Sequence, residues 1–209
     1  GWALSAAYGD PSDGSTRALV AERPYFSIET PYALGGFATS SERLLTQYNH
    51  GAAVHVMPAR RSAGLVSASL AYRVRNRTAY RIGVAYRADE SEYDDPVVLV
   101  PGSLRVPDTS TRRVRGVSGT WSMVQDRSTT FQNLARIGRT EDYNLGWALS
   151  GSAGYFATTL GSTTGAPFGD ATIRKGWSPH SRTLILADAW ARGRYENSAW
   201  RDAVARAAL

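Results

Sequence analysis

Apolar and polar residues alternate along most of this chain with a period of two. From Tyr143 to Tyr155 one face reads Tyr143, Leu145, Trp147, Leu149, Gly151, Ala153 and Tyr155, and the other Asn144, Gly146, Ala148, Ser150, Ser152 and Gly154. Such alternation is the signature of a strand with unlike faces. Three interior glycines argue against a helix, at roughly 1 kcal/mol each relative to Ala. The pattern recurs with Val66, Ala68, Leu70, Tyr72 and Val74 opposite Ser67, Ser69, Arg73 and Arg75. It recurs again with Tyr80, Ile82, Val84, Tyr86 and Ala88 opposite Arg81, Gly83, Ala85 and Arg87, and in short form with Trp2, Leu4, Ala6 and Tyr8.

Turn-forming clusters punctuate these runs at Asp10–Gly14, Asn49-His50-Gly51, Asn76-Arg77 and Gly161–Gly165. Weaker strand patterns cover Arg17–Ile28, Leu34–Tyr48, Arg113–Gln125, Ala171–Trp177, Thr183–Tyr195 and Ser198–Leu209. The last is alanine-rich, so a helix is an alternative there. The expectation is an all-β domain over 1–209, an antiparallel up-and-down meander of about ten strands.

Two architectures bury such strands. A soluble sandwich turns the apolar faces into a core, whereas a membrane barrel turns them to lipid around a polar lumen. Strands of 9–13 residues are long for a globular protein, where about 5–6 is typical. Aromatics at both ends of an apolar face, Tyr143, Trp147 and Tyr155 on one strand and Trp2 and Tyr8 on another, fit interfacial girdles. Arginines on the opposite faces, Arg73 and Arg81 among them, fit a hydrated lumen. These features favour the transmembrane barrel, and the sandwich binding module stands as the alternative.

Composition narrows the chemistry. The 209 residues include no cysteine, which excludes disulfides, thiolate metal sites and cysteine nucleophiles. No apolar run reaches the ~20 residues of a membrane helix, a test that barrel strands do not face. Lys+Arg number 24 against 18 Asp+Glu, a net charge of +6, and Lys175 is the single lysine. The arginines Arg73, Arg75, Arg77, Arg81, Arg87, Arg112, Arg113 and Arg115 alternate with apolar positions and accompany no nucleic-acid motif. No nucleic-acid partner is expected, and outer-membrane lipid is.

Catalytic motifs are missing: there is no Gly-x-Ser-x-Gly elbow, no His-Glu-x-x-His and no phosphate-binding loop. His50 and His180 read as loop residues, and His55 alternates with Ala53 and Met57. A lipid- or peptide-cutting site at a barrel rim would draw on His55, His180, Ser178, Asp94 and Asp95, whose spacing fixes no geometry. Asp10, Ser12 and Asp13 lack the spacing of a calcium loop. Neither an enzyme activity nor a cofactor nor a metal is expected.

One stretch, Leu134-Ala135-Arg136-Ile137-Gly138-Arg139-Thr140-Glu141-Asp142-Tyr143-Asn144-Leu145-Gly146, resembles a strand-entry motif in barrels of the BamA/TamA (bacterial surface antigen) superfamily, with Ala135 at the place of that motif's first Asn. A second, Glu22-Arg23-Pro24-Tyr25-Phe26-Ser27-Ile28-Glu29-Thr30-Pro31-Tyr32-Ala33-Leu34-Gly35, resembles another hairpin of the same barrels. Val114-Arg115-Gly116 is followed by Val117 instead of that family's aromatic and reads as coincidence on a strand.

The resemblance implies a Gram-negative outer-membrane barrel that inserts or secretes other β-barrel proteins, with unfolded barrel clients and periplasmic factors as partners. It places Arg139, Glu141 and Asp142 at an inward-turned strand entry. Glu141 and Asp142 alternate across the strand, so only one of them faces the lumen and its charge network, and an ordinary solvated strand end is the alternative reading. Family members carry a soluble POTRA or similar domain ahead of about sixteen strands. Neither that domain nor room for sixteen strands is present here, so a partial barrel is expected, a processed or cut chain. A complete barrel of 8–10 strands, serving as a pore, a structural protein or a lipid-modifying enzyme, is the other membrane reading.

Overall fold

The computed structural model describes residues 1–100, 110–132, 140–180 and 183–209. Thirteen strands lie among these residues: β1 (Ala3–Gly9), β2 (Gly14–Arg23), β3 (Tyr32–Asn49), β4 (Ala52–Arg75), β5 (Thr78–Tyr93), β6 (Val97–Val98), β7 (Arg112–Gln125), β8 (Ser128–Gln132), β9 (Thr140–Asn144), β10 (Ala148–Phe156), β11 (Ala166–His180), β12 (Thr183–Glu196) and β13 (Ala199–Ala208). Ten of them form one antiparallel sheet in the order β1-β2-β3-β4-β5-β7-β10-β11-β12-β13, with β6 paired to the far end of β4. The expected all-β meander is therefore the architecture of the chain. The sheet is not closed into a barrel, and β1 and β13 are its two edges.

Two-residue turns hold the meander in register. His50-Gly51, Asn76-Arg77 and Asn197-Ser198 all have positive φ, the geometry whose twist matches antiparallel strands. Ser198 (φ 61°) occupies a conformation that costs an L-residue about 1–2 kcal/mol and glycine almost nothing. Ser198→Gly is therefore expected to stabilise the sheet by about 1 kcal/mol, seen as a higher denaturant midpoint with unchanged slope. The same turn starts β13 as a strand, so the alanine-rich C-terminal segment is not a helix.

The alternation expected over Tyr143–Tyr155 is broken. Residues 140–144 belong to β9 and 148–156 to β10, and between them Asn144 Oδ1 accepts from the amides of Gly146 (2.8 Å) and Arg127 (3.0 Å). The pairing index continues unbroken across the gap: Ala148 faces Val124, and Ser128 faces Asn144. The β8–β9 ladder is thus an outward extension of the β7–β10 hairpin, with an Asn-centred turn on one side of the break.

The two faces of the sheet differ sharply. Following the register, one apolar row runs Leu4, Ala21, Gly36, Val66, Tyr86, Val117, Tyr155, and the next runs Leu34, Ala68, Val84, Gly119, Ala153. On the other face one row runs Ala33, Ser69, Gly83, Thr120, Ser152, Asp170, Arg192. No second layer covers the apolar face among the described residues. Val66 and Val84 are 65% exposed and Leu4 76%. The one buried apolar cluster among these residues, Val114, Phe156 and Ala166, forms where the loop after β10 folds back onto β7. There Ser162 Oγ bridges the amide and carbonyl of Arg115 at 2.7 and 2.8 Å, and Phe156 stacks on Phe168.

Candidate functional site: two unlike faces of one sheet

The apolar face has defined limits. On β5 it spans Tyr80, Ile82, Val84, Tyr86 and Ala88, nine residues of strand, between Thr78 and Glu90. At ~3.4 Å per residue and a barrel tilt of ~40°, nine residues make a band roughly 20–25 Å tall, close to the ~25 Å apolar belt of membrane barrels. Aromatics bracket aliphatics strand by strand: Tyr86 and Tyr80 on β5, Tyr155 and Trp147 flanking β10, Tyr8 and Trp2 flanking Leu4 and Ala6 at β1. Of the expected interfacial aromatics, Trp2, Tyr8, Trp147 and Tyr155 are all exposed here, at 40% or more. Tyr143 is not among them. It lies on β9, half-buried and edge-on to Phe131 at 5.8 Å between ring centroids.

Charges sit just beyond the band. Above it, Glu90 and Glu92 of β5 meet Arg113 and Arg115 of β7: Arg113 bonds Glu90 and lies 3.5 Å from Glu92, and Arg115 lies 3.8 Å from Glu90. Arg60 and Glu42 pair at 3.4 Å on the neighbouring ladder. Below it, Lys175 Nζ donates to the Leu145 carbonyl (2.6 Å) between the rings of Trp147 and Trp177. Exposed pairs of this kind contribute little stability, typically under ~1 kcal/mol. Their importance is positional, since they mark where the apolar surface stops.

The polar face is concave between β7 and β13. Arg112 of β7 bonds Asp202 of β13 at 2.9 Å, reaching past three intervening strands. Asp202 sits at a bulge with φ 50°, and Arg194 joins it at 3.3 Å while also bonding Glu196 at 3.0 Å. Arg61 and Asp89 pair at 3.0 Å on the same face. Lower down lies a cavity of about 360 Å³ lined by serine and threonine hydroxyls together with Arg81 and Arg87.

The expected luminal residues separate. Arg81 is on the polar face, its guanidinium carbon 3.8 Å from the Tyr25 ring centroid, and Tyr25 donates to Ser69 Oγ at 2.9 Å. Tyr25 lies in the connection between β2 and β3, which folds back onto the polar face, a contact that the alternation pattern did not reveal. Arg73 does not join Arg81. A bulge at Tyr72 shifts the ladder so that Arg73 faces Tyr80, and the alternation that set it beside Ser69 ends there. Glu141 and Asp142 do point to opposite sides of β9, but both find partners inside the β8–β9 hairpin: Tyr143 donates to Glu141 (3.0 Å) and Thr130 to Asp142 (2.9 Å). The Glu141 carboxylate pushes the Tyr143 phenol above its ordinary pKa. Arg139 lies outside the described residues.

The histidines do not assemble a site. His55 is buried at the tip of the β3–β4 hairpin, its Nδ1 3.2 Å from Gln47 Oε1, whereas His180 ends β11 at the opposite end of the sheet. Among the described residues no cluster of three or more His, Asp or Glu is arranged to hold a metal.

At the lower turns, Asp126 accepts from Ser128 Oγ (2.7 Å) and from Arg77 (3.0 Å), tying the β4–β5 turn to the end of β7. The Ser128 hydrogen bond first, then Arg77, hold its carboxyl below the usual aspartate range. A depressed folded-state pKa contributes stability above the unfolded value of ~3.9, lost as pH falls through the folded value. Carboxyl NMR of Asp126 is expected to show a midpoint below that of a free aspartate, and Ser128→Ala to move it upward.

Compared with known proteins, the chain matches no family model, no curated protein and no solved structure.

Proposed function

We propose that this chain forms wall of a bacterial outer-membrane β-barrel, with its apolar face against lipid and its polar face toward a hydrated interior. One observation carries the reading: the burial is inverted. Large apolar side chains lie on an uncovered face of barrel-belt height, while the serine and threonine hydroxyls and the paired Arg61, Arg112 and Arg194 line the other. A soluble sandwich pairs two such apolar faces, and here no second sheet lies over this one among the described residues.

Within that reading the work is of the BamA/TamA type: assembly or secretion of other barrel proteins at the outer membrane. Its support is the resemblance of Glu22–Gly35 and Leu134–Gly146 to hairpins of those barrels. Of the first, β2 ends at Arg23, Pro24 breaks the ladder and β3 begins at Tyr32. Such work is physical: a client strand gains main-chain hydrogen bonds by adding to an exposed edge. No catalytic residue takes part in it, and the partners are lipid, unfolded barrel clients and periplasmic factors.

The test is extraction and migration. The protein is expected in outer-membrane fractions, released by detergent and not by salt or carbonate, and to run faster on a gel unheated than boiled. A monomer soluble without detergent overturns the membrane reading. For the assembly role, depletion is expected to lower the outer-membrane level of other barrels, and unchanged levels overturn that role while leaving the barrel reading intact.

A further inference from the structure

We propose that the hydroxyl-lined cavity on the polar face binds a small oxyanion of the phosphate class, with Arg81 and Arg87 as its cationic contacts. Both arginines project from β5 onto that face, six residues and therefore about 20 Å of strand apart, and both line the same cavity of about 360 Å³. They differ from three other arginines of the same face. Arg61, Arg112 and Arg194 are each neutralised by a carboxylate within 3.3 Å. Arg87 has no ion pair among the described residues. Arg81 packs on the face of the Tyr25 ring, and among the described residues its buried Nε has no hydrogen-bond partner.

A buried guanidinium donor left unpaired is costly, and an incoming anion removes that cost. The surroundings suit such a ligand. Ser118, Thr120 and Ser122 offer rotatable hydroxyl donors along β7, and the one acid lining the cavity, Asp170, is already engaged by Ser152. Planar guanidinium forks over neutral donors recognise phosphate oxygens, whereas a cationic or apolar solute finds nothing to pair with two free arginines. Tyr25 packs over Arg81 and leaves Arg87 as the more open contact.

This site goes beyond the membrane reading and does not depend on it, because the measurement is possible in detergent or, for a protein that proves soluble, in buffer. Calorimetric titration of the folded chain with inorganic phosphate and pyrophosphate is expected to show saturable binding, weakened by added salt. Arg81→Gln and Arg87→Gln are each expected to weaken it at least about fivefold. Arg81→Lys should recover part of the loss, and Arg77→Gln, at the lower turn, should change nothing. A short-chain phosphatidate below its micelle concentration forms the second arm. Binding of inorganic anion identifies a soluble ligand, and binding of the phosphatidate alone identifies a lipid headgroup as the source of the phosphate. Circular dichroism checks that each variant keeps its strand content. Absence of saturable binding by the folded wild-type chain, or wild-type affinity in either glutamine variant, overturns the proposal.

Discussion

Val84→Arg is expected to destabilise the membrane-inserted protein by about 2–4 kcal/mol, the cost of a cation on the lipid face near the bilayer midplane. Val84 lies in the centre of the apolar band, facing Ala68 on one side and Gly119 on the other, and is 65% exposed. With such small neighbours, little packing is lost in the exchange. The same substitution at a water-facing position this open stays within about 0.5 kcal/mol. The control is Ser118→Arg, one step along β7 on the polar face, where the guanidinium reaches water and hydroxyls and the cost stays under about 1 kcal/mol. Urea unfolding in thin phosphatidylcholine vesicles, followed by tryptophan fluorescence, measures both. Equal costs for Val84→Arg and Ser118→Arg would mean that both faces are wet, and the membrane assignment would fall.

The second large effect comes from Gly83, two residues from Arg81 on the polar face. A Cβ there would lie 2.4 Å from the Ala68 carbonyl oxygen, 2.6 Å from Ser69 Cβ and 2.8 Å from Thr120 Oγ1. Two of these belong to β4 and one to β7, so the strand cannot relieve one contact without worsening the other. Gly83→Val is expected to cost about 1–3 kcal/mol through overpacking, with loss of the β4–β5–β7 register. Gly119 is the informative partner. It pairs with Val84 on the apolar face, and a Cβ built on it meets nothing within 4 Å. Gly119→Val should therefore be neutral or stabilising by up to about 1 kcal/mol, since an interior glycine weakens a strand. Amide exchange on β5 tests both changes, with faster exchange for Gly83→Val and unchanged or slower exchange for Gly119→Val.

The strands and the contrast between their faces were legible in the sequence because both follow from a period of two. The turns were legible too, at Asn49-His50-Gly51 and Asn76-Arg77, where local chemistry sets positive φ. What pattern reading could not supply was where a strand bulges or breaks. The bulge at Tyr72 moves Arg73 to the Tyr80 side, and the Asn144-centred turn divides what looked like one strand of 13 residues. The Asn-Leu-Gly triplet at 144–146 was the available signal for the second, since a Cβ on Gly146 would lie 1.9 Å from the Gln125 carbonyl. Tyr25 was missed for a different reason. Its partners, Ser69 and Arg81, lie 44 and 56 positions away, and no periodicity reports a loop folding back across a face. The choice between lipid and protein as cover for the apolar rows also lay beyond alternation, which is identical in both; the structure adds only that no second sheet lies over these rows among the described residues.

In the main sheet every ladder apart from β6 joins a strand to its nearest predecessor in that sheet, and the Arg112–Asp202 pair is an ionic contact that skips across strands. The steps that close through the turns at 10–13, 50–51, 76–77 and 197–198 therefore cost only the closure entropy of a hairpin, the condition under which chains fold fastest. By contrast, β7 reaches β5, and β10 reaches β7, across connections of 18 and 22 residues. The sheet can grow by adding one hairpin at a time to a paired edge, with no strand waiting for a partner from the far end of the chain. Growth in this order limits how long any strand edge stays unpaired. It also makes β4, the longest strand, the natural seed: its ladders with β3 and β5 close through two-residue turns at both of its ends.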